Sequence, residues 1–322
     1  MQLARVTATL LFMVSCLSIS AGPTRAQPSI AAAYIESYSL LDLGAPPGVT
    51  GNFGGLTLLA GDPNTLLIGG NANNPTGRIF AIGVVRDAEH HIVGFSGAAT
   101  VYANAPEIDG GLAYGPGGVL FYTGYNENLL GQIKPGSTAP DKVVQLGPLG
   151  VDRSVGSLNF VPNGFPDTGG LRLASYNTGS FYAANLTADG NGTYDVSGVV
   201  QLADLPNGPE GFVYVPPNSD LFPQPAILVS EYNLPGHAVA YDLDPDGAPI
   251  VTTRRDFVVG LTGAEGGFVD PVTGDFLFST FGQDQRVVVV GGFAAPVPEP
   301  TIAILLLVGV LGVGVKVRRQ RR

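Results

Sequence analysis

Asp109, Asp152, Glu210 and Glu265 each stand close ahead of an apolar run, at one recurring point of the chain. Their oxygens are hard donors. Carboxylates gathered in one place repel unless a cation or solvent screens them, and all-oxygen ligand sets suit Ca²⁺. These four are the candidate metal ligands, with Ca²⁺ the candidate cofactor. A second set follows the next apolar run: Tyr125-Asn126, Tyr176-Asn177 and Tyr232-Asn233. Asn71 and Asn73 hold the matching place earlier on, and Glu107 lies beside Asp109. The recurrence of Tyr-Asn makes Tyr125, Asn126, Tyr176, Asn177, Tyr232 and Asn233 the candidate lining of a shared pocket. The plainer alternative for both sets is turn chemistry, because Asn tolerates a left-handed backbone and side-chain oxygens bind nearby amides.

Other chemistries are poorly served. His90, His91 and His237 are the only histidines. Adjacent residues of a strand point to opposite faces, so His90-His91 does not suit one zinc ion, and so few histidines disfavour a Ser-His-Asp triad. Neither a Gly-x-Ser-x-Gly nor an HExxH motif occurs. Asp242-Leu-Asp244-Pro-Asp246-Gly247 opens like a calcium loop but continues with Ile250 and Thr253 where ligands belong. Its Pro-Asp-Gly core fits a hairpin turn. Asn185-Leu-Thr187 and Asn191-Gly-Thr193 match the glycosylation sequon, a short motif that by itself predicts little.

The elements that must position these residues repeat. Phe53-Gly54-Gly55-Leu56, Asp109-Gly110-Gly111-Leu112, Val155-Gly156-Ser157-Leu158, Glu210-Gly211-Phe212 and Glu265-Gly266-Gly267-Phe268 recur at 46–56-residue spacing, measured between residues 56, 112, 158, 212 and 268. After each comes a turn and an apolar strand: Thr65–Ile68, Val119–Tyr122, Leu171–Ser175, Ala226–Ser230 and Phe276–Ser279. A third strand and, in four repeats, a fourth complete the period. Four short strands per period is a propeller blade. The last repeat lacks its fourth strand, and Ala33–Leu41 can supply it beside Arg286–Val290 and close the ring. The expected fold is all-β: a five-bladed β-propeller over 27–295, with six blades as the alternative and a β-helix disfavoured by the repeat length. In that fold the loop before strand one and the loop after strand two meet at one face of the axis, where both polar sets fall.

Composition agrees. The chain has 46 Gly and 26 Pro in 322 residues and only 13% charged residues, which suits short strands and tight turns rather than a helical bundle. Setting aside the ends, residues 27–295 hold 9 basic and 25 acidic residues, 9 − 25 = −16. Such a body repels phosphate backbones, so no nucleic-acid partner is expected. Cys16 is the only cysteine, which leaves the body without disulfides or thiolate ligands.

Both ends read as addresses. Residues 1–26 combine Arg5, the apolar stretch Ala8–Ile19 and small residues before a cleavage point after Ala26, as in a secretory signal. A lipoprotein signal at Met13-Val14-Ser15-Cys16 and an uncleaved anchor are the rivals. At the other end Ala295-Pro296-Val297-Pro298-Glu299-Pro300 precedes an apolar run, Thr301–Val315, and then Lys316, Arg318, Arg319, Arg321 and Arg322. The run is short of the ~20 residues that comfortably span a bilayer. It could still cross as a transmembrane helix over 301–317, the basic tail held in the cytoplasm.

The order Pro-Glu-Pro, apolar helix and terminal arginines resembles the PEP-CTERM sorting signal over 296–322, with Val297, Pro298, Glu299, Pro300, Arg318, Arg319, Arg321 and Arg322 as its marked residues. This resemblance implies export by a Gram-negative bacterium and transient anchoring in the inner membrane. It further implies processing by an exosortase-type enzyme and a mature form at the cell surface or outside the cell. Exopolysaccharide or surface proteins are the ligands such an address suggests. The body is similar, in expected fold and pocket only, to metal-dependent propeller hydrolases of the gluconolactonase type. Two functions follow as expectations: a non-catalytic surface or matrix protein whose propeller binds a ligand, or an exported metal-dependent hydrolase or lactonase.

Overall fold

The structure, a computed structural model, describes residues 27–233, 236–282 and 284–294. The expected signal peptide 1–26 and the sorting signal with its helix 301–317 lie outside them. Among the described residues no helix is long and apolar enough to cross a membrane.

Two strands come first, β1 (Ser29–Ile30) and β2 (Ser39–Gly44). Then follow β3 (Leu56–Leu59), β4 (Asp62–Gly70), β5 (Arg78–Arg86) and β6 (Ile92–Asn104), which form the first antiparallel sheet in that order. The second sheet is β7 (Ile108–Tyr114), β8 (Leu120–Gly124), β9 (Leu129–Ile133) and β10 (Lys142–Gln145). The third is β11 (Val155–Phe160), β12 (Leu171–Ser175), β13 (Ser180–Ala188) and β14 (Tyr194–Asp204). In the fourth, β15 (Pro209–Tyr214), β16 (Ala226–Glu231), β17 (His237–Asp242) and β18 (Arg255–Val259) are joined by β1 as an outermost fifth strand. The fifth sheet is β19 (Ala264–Val269), β20 (Phe276–Thr280), β21 (Val287–Gly291) and β2. Five sheets make five blades, and the six-bladed alternative falls away.

Burial explains why the inner strands read as continuous apolar runs. A blade is covered on both faces by its neighbours, so Leu120–Gly124, Ala226–Glu231 and Phe276–Thr280 are buried at every residue. The outer strand β10 alternates between half-buried and exposed instead, as expected of a half-solvated strand. Near the axis the paired glycines let inner strands touch. A Cβ on Gly55 would meet Leu112 N and Gly110 O, and one on Gly211 would meet Gly267 N and Glu265 O. Only glycine fits such an approach.

Closure by an N-terminal strand holds, with shifted bounds. Residues 32–37 form turns, and the pairing strand begins at Ser39, running Ser39↔Gly291 to Gly44↔Val287. The preceding segment is claimed by packing: Tyr34 and Tyr38 join Phe222, Phe257 and Phe293 in one aromatic cluster. Short β1, paired with β18, was not legible in the sequence.

The seam is also clamped from the first blade. Arg86 Nη1 donates to Asp270 Oδ2 at 2.6 Å, and His91 Nδ1 lies 2.6 Å from Asp275 Oδ2. Both aspartates are buried at the ends of the β19–β20 turn. Asp275 raises the His91 pKa through this hydrogen bond.

Candidate functional site

Each inner strand starts at one face of the propeller, and each second strand returns to it. A repeated backbone bond sets the frame there. Tyr125, Tyr176, Tyr232 and Phe281, just past the second strands, donate their N–H to the carbonyls of Glu107, Ser154, Gly208 and Gly263. Two residues beyond each acceptor stand Asp109, Gly156, Glu210 and Glu265. The strand ladder is bulged at all four places, between Ile108 and Leu112, Val155 and Ser157, Pro209 and Phe212, and Ala264 and Gly267. A bulge re-aims the side chain it carries.

The result is a buried cluster. Asp109, Glu210 and Glu265 each offer a carboxylate oxygen, and these oxygens lie within 4.8 Å of one another. Asp109 is fully buried, and Glu210 and Glu265 nearly so. Blade three contributes Gly156 at the acidic position. Its missing side chain is part of the design, because a Cβ there would run into the Glu210 carboxylate.

Asp152 does not join them, which corrects the sequence-based set. It is exposed, and its Oδ2 accepts from Ser180 Oγ at 3.3 Å. It precedes the aligned position, Gly156, by four residues and lies six before Leu158, where the other acids lie two or three before their Leu or Phe. In the structure the acidic position follows a left-handed residue by two. Glu107, Gly208 and Gly263 all have positive φ and all stand two residues before the acid.

Above the cluster opens a cavity of about 160 Å³ lined by Asn73, Tyr125, Tyr176, Glu210, Tyr232, Glu265 and Phe281. The three tyrosines and Phe281 form a chain of edge-on rings, 5.7–6.1 Å between centroids. The Tyr half of the recurring Tyr-Asn pair lines this cavity. The Asn half does not. Asn126 donates to Glu107 Oε2 at 2.5 Å, Asn177 is exposed, and Asn233 accepts from Tyr176 Oη at 3.0 Å. Asn73, with φ of 57°, is the amide that reaches the cavity. Phe281 and the axial hydroxyls were missed in the sequence. Thr123 Oγ1 accepts from Gly111 N and donates to Gly156 O, while Ser279 Oγ accepts from Gly266 N and donates to Gly54 O. They lock neighbouring inner strands around the site.

Electrostatics set the chemistry. Asp109 Oδ1 and Oδ2, Glu210 Oε2 and Glu265 Oε1 are buried without a hydrogen bond of normal geometry, while Glu265, the Asn73 amide and the Gly110 N–H stand near enough to Asp109 to offset part of its burial. Among the described residues no Lys, Arg or His forms an ion pair with any of the three. Burial pushes the Asp109 carboxyl up to about 7. Burial and then the Asp109 charge raise Glu210, and burial followed by Glu210 and Asp109 raises Glu265. Uncompensated buried carboxylates are costly. Oxygens around one Ca²⁺ sit at 2.3–2.6 Å from it, hence within about 5 Å of each other. The cluster thus fits one divalent cation in spacing, donor type and unmet hydrogen-bonding capacity. The other calcium-like segment is a turn: Asp244 Oδ1 accepts from Asp246 N and Ala248 N, each at 2.9 Å.

No family model matches the chain, and no curated protein matches it in sequence. Some solved structures are similar to it over much of its length. A gluconolactonase from Xanthomonas campestris is similar with a TM-score of 0.46 and 15% identity, over 84% of this chain and 86% of that one. The PQQ-bound aldose sugar dehydrogenase of Streptomyces coelicolor gives 0.39 and 14%, over 77% and 82%. A protein described as a 6-phosphogluconolactonase from Bacteroides uniformis gives 0.41 and 14%; the match covers 73% of this chain but only 66% of that one.

Proposed function

We propose that the chain is an exported propeller hydrolase that holds one divalent cation, Ca²⁺ by its ligand chemistry, between Asp109, Glu210 and Glu265, and cleaves a small ester or lactone in the tyrosine-lined cavity. The single observation that carries this reading is the set of carboxylate oxygens in that cluster, buried beneath an open cavity with no basic side chain among the described residues to neutralise them. A bound divalent cation supplies a Lewis acid for a carbonyl oxygen and acidifies water. The chain's own residues do the rest. Glu210 and Glu265 reach the cavity floor and would hold the ion there. Tyr176 and Tyr232 have raised pKa values, from burial first and then from the nearby glutamates, so their hydroxyls stay protonated as donors. The aromatic wall favours a substrate with an apolar ring, and the small cavity favours one of few atoms.

A second reading has its own observation. None of the chain's histidines lines the cavity, and a surface protein that only binds its ligand needs no general base. One experiment separates the two. The full chain in mild detergent is unfolded thermally with millimolar Ca²⁺ and with chelator, and assayed for hydrolysis of simple lactones and aryl esters. Ca²⁺ at a hundred times its dissociation constant adds about 2.7 kcal/mol, or roughly 5 °C at this size. A cation-dependent midpoint with cation-dependent hydrolysis supports the enzyme. The same shift without turnover of any substrate leaves a binding protein.

Delivery belongs to the same proposal. The Pro298-Glu299-Pro300 motif, the apolar run and the terminal arginines support anchoring by 301–317 and removal of that segment by an exosortase-type enzyme. Mass spectrometry of the mature surface protein is expected to find no peptide beyond Glu299 or Pro300. An intact Arg322 terminus would contradict it.

A further inference from the structure

Strand direction gives the two faces of the propeller different surroundings. The inner strands run from the carboxylate site to the far face, so Leu59, Tyr114 and Val269 end there. β21, a third strand, also runs to the far face. Beyond it Phe293 stacks on Phe276, at the far-face start of β20, with centroids 3.9 Å apart. Ala294 N then donates to Ser219 Oγ in the β15–β16 connection at 3.2 Å. The chain therefore leaves the last described residue on the face opposite the tyrosine-lined cavity. That far face carries an apolar hollow of about 640 Å³, whose walls include Leu58, Leu59, Leu112, Tyr114, Phe268 and Pro271. Nothing in the site described above uses it.

We infer that this far face is the membrane-facing surface of the anchored precursor, its apolar hollow set against the lipid headgroup layer, and that the catalytic cavity opens away from the bilayer. The inference rests on the anchoring proposed above. Six residues, 295–300, separate Ala294 from the apolar run that begins at Thr301. Fully extended they reach about 20 Å, and the headgroup layer occupies roughly 5–8 Å of that. A body tethered so closely, at a point fixed by Phe293 and Ser219, cannot turn its opposite face to the bilayer. Tyrosine and apolar side chains suit the headgroup boundary. The acidic Asp62, Asp167 and Asp220 around the far-face turns favour zwitterionic over anionic lipid.

Single cysteines test the orientation, because Cys16→Ser leaves the full chain without any other cysteine. Val272→Cys lies in an exposed far-face turn and Asn177→Cys in an exposed turn on the site face. Each variant is reconstituted into phosphatidylcholine vesicles and reacted with a bulky polyethylene-glycol maleimide, and each rate is divided by its own rate in detergent. The expected result is a several-fold lower ratio for Val272→Cys than for Asn177→Cys. Equal ratios, or a lower one for Asn177→Cys, overturn the orientation while leaving the anchor intact. Protein that fails to float with the vesicles removes the anchor, and the orientation with it.

Discussion

Glu210→Gln and Asp109→Asn raise the thermal midpoint of the cation-free protein at pH 8 and abolish its response to Ca²⁺. Both halves follow from the same geometry. Without a cation, the cluster is three buried carboxyls whose pKa values burial and mutual repulsion have raised. A group with a raised folded pKa stabilises the fold fully below its unfolded pKa, and that contribution is lost as pH rises through the folded value. For Asp109 the window runs from the ordinary 3.8 to about 7. Within it, each pH unit changes stability by about 1.4 kcal/mol per group. The cation-free protein is therefore expected to lose stability from pH 4 to pH 7, and a neutral amide at one position relieves the loss. Cation binding must displace the same protons, so its contribution grows over the same range. Thermal scans at pH 5 and pH 8, with Ca²⁺ and with chelator, check this. A variant less stable than the parent in chelator at pH 8, yet still stabilised by Ca²⁺, would mean that the carboxylates serve packing alone.

Deletion of residues 39–44 has the second large effect. β2 is the outer strand of the last blade and covers β21, whose Val287, Val288, Val289 and Val290 are all buried. Exposing a buried valine costs about 1.5–3 kcal/mol. Uncovering even part of this strand takes much of the 5–15 kcal/mol by which a domain is stable, and leaves a β-branched edge free to pair with other chains. The truncated protein is expected to aggregate and to lose its cooperative thermal transition. Light scattering during a thermal scan reads both. A soluble monomer with the parent's midpoint would show that Arg86–Asp270, His91–Asp275 and the aromatic cluster close the ring without the strand.

Much of this architecture is legible because blades are buried on both faces. Runs such as Leu120-Phe121-Tyr122 and Phe276-Leu277-Phe278 mark second strands, and paired glycines mark the crowded axis. Three of the four metal candidates and all three pocket tyrosines were legible for the same reason: the repeat puts them at the same face. What failed depends on single-residue register. Asp152 is the acid next ahead of the third repeat, but it stands six residues before Leu158 where the other acids stand two or three before their Leu or Phe, and the bulge in β11 presents Gly156 at the matching place. Asn126 and Asn233 are drawn off by partners, Glu107 and the Tyr176 hydroxyl, and Asn177 faces solvent. The shift of the closing strand to Ser39 reflects aromatic packing of Tyr34 and Tyr38, which no strand pattern encodes.

The central claim is that Asp109, Glu210 and Glu265 share one ion. A crystal structure of the protein grown with Ca²⁺, and again with Mn²⁺ to give an anomalous signal, tests it most directly. The account predicts one peak on the propeller axis beneath Tyr176 and Tyr232, with an oxygen of each of the three carboxylates about 2.3–2.6 Å away in the Ca²⁺ form. Carboxylates paired with one another through protons at pH 8, with no density between them at saturating cation, would contradict it.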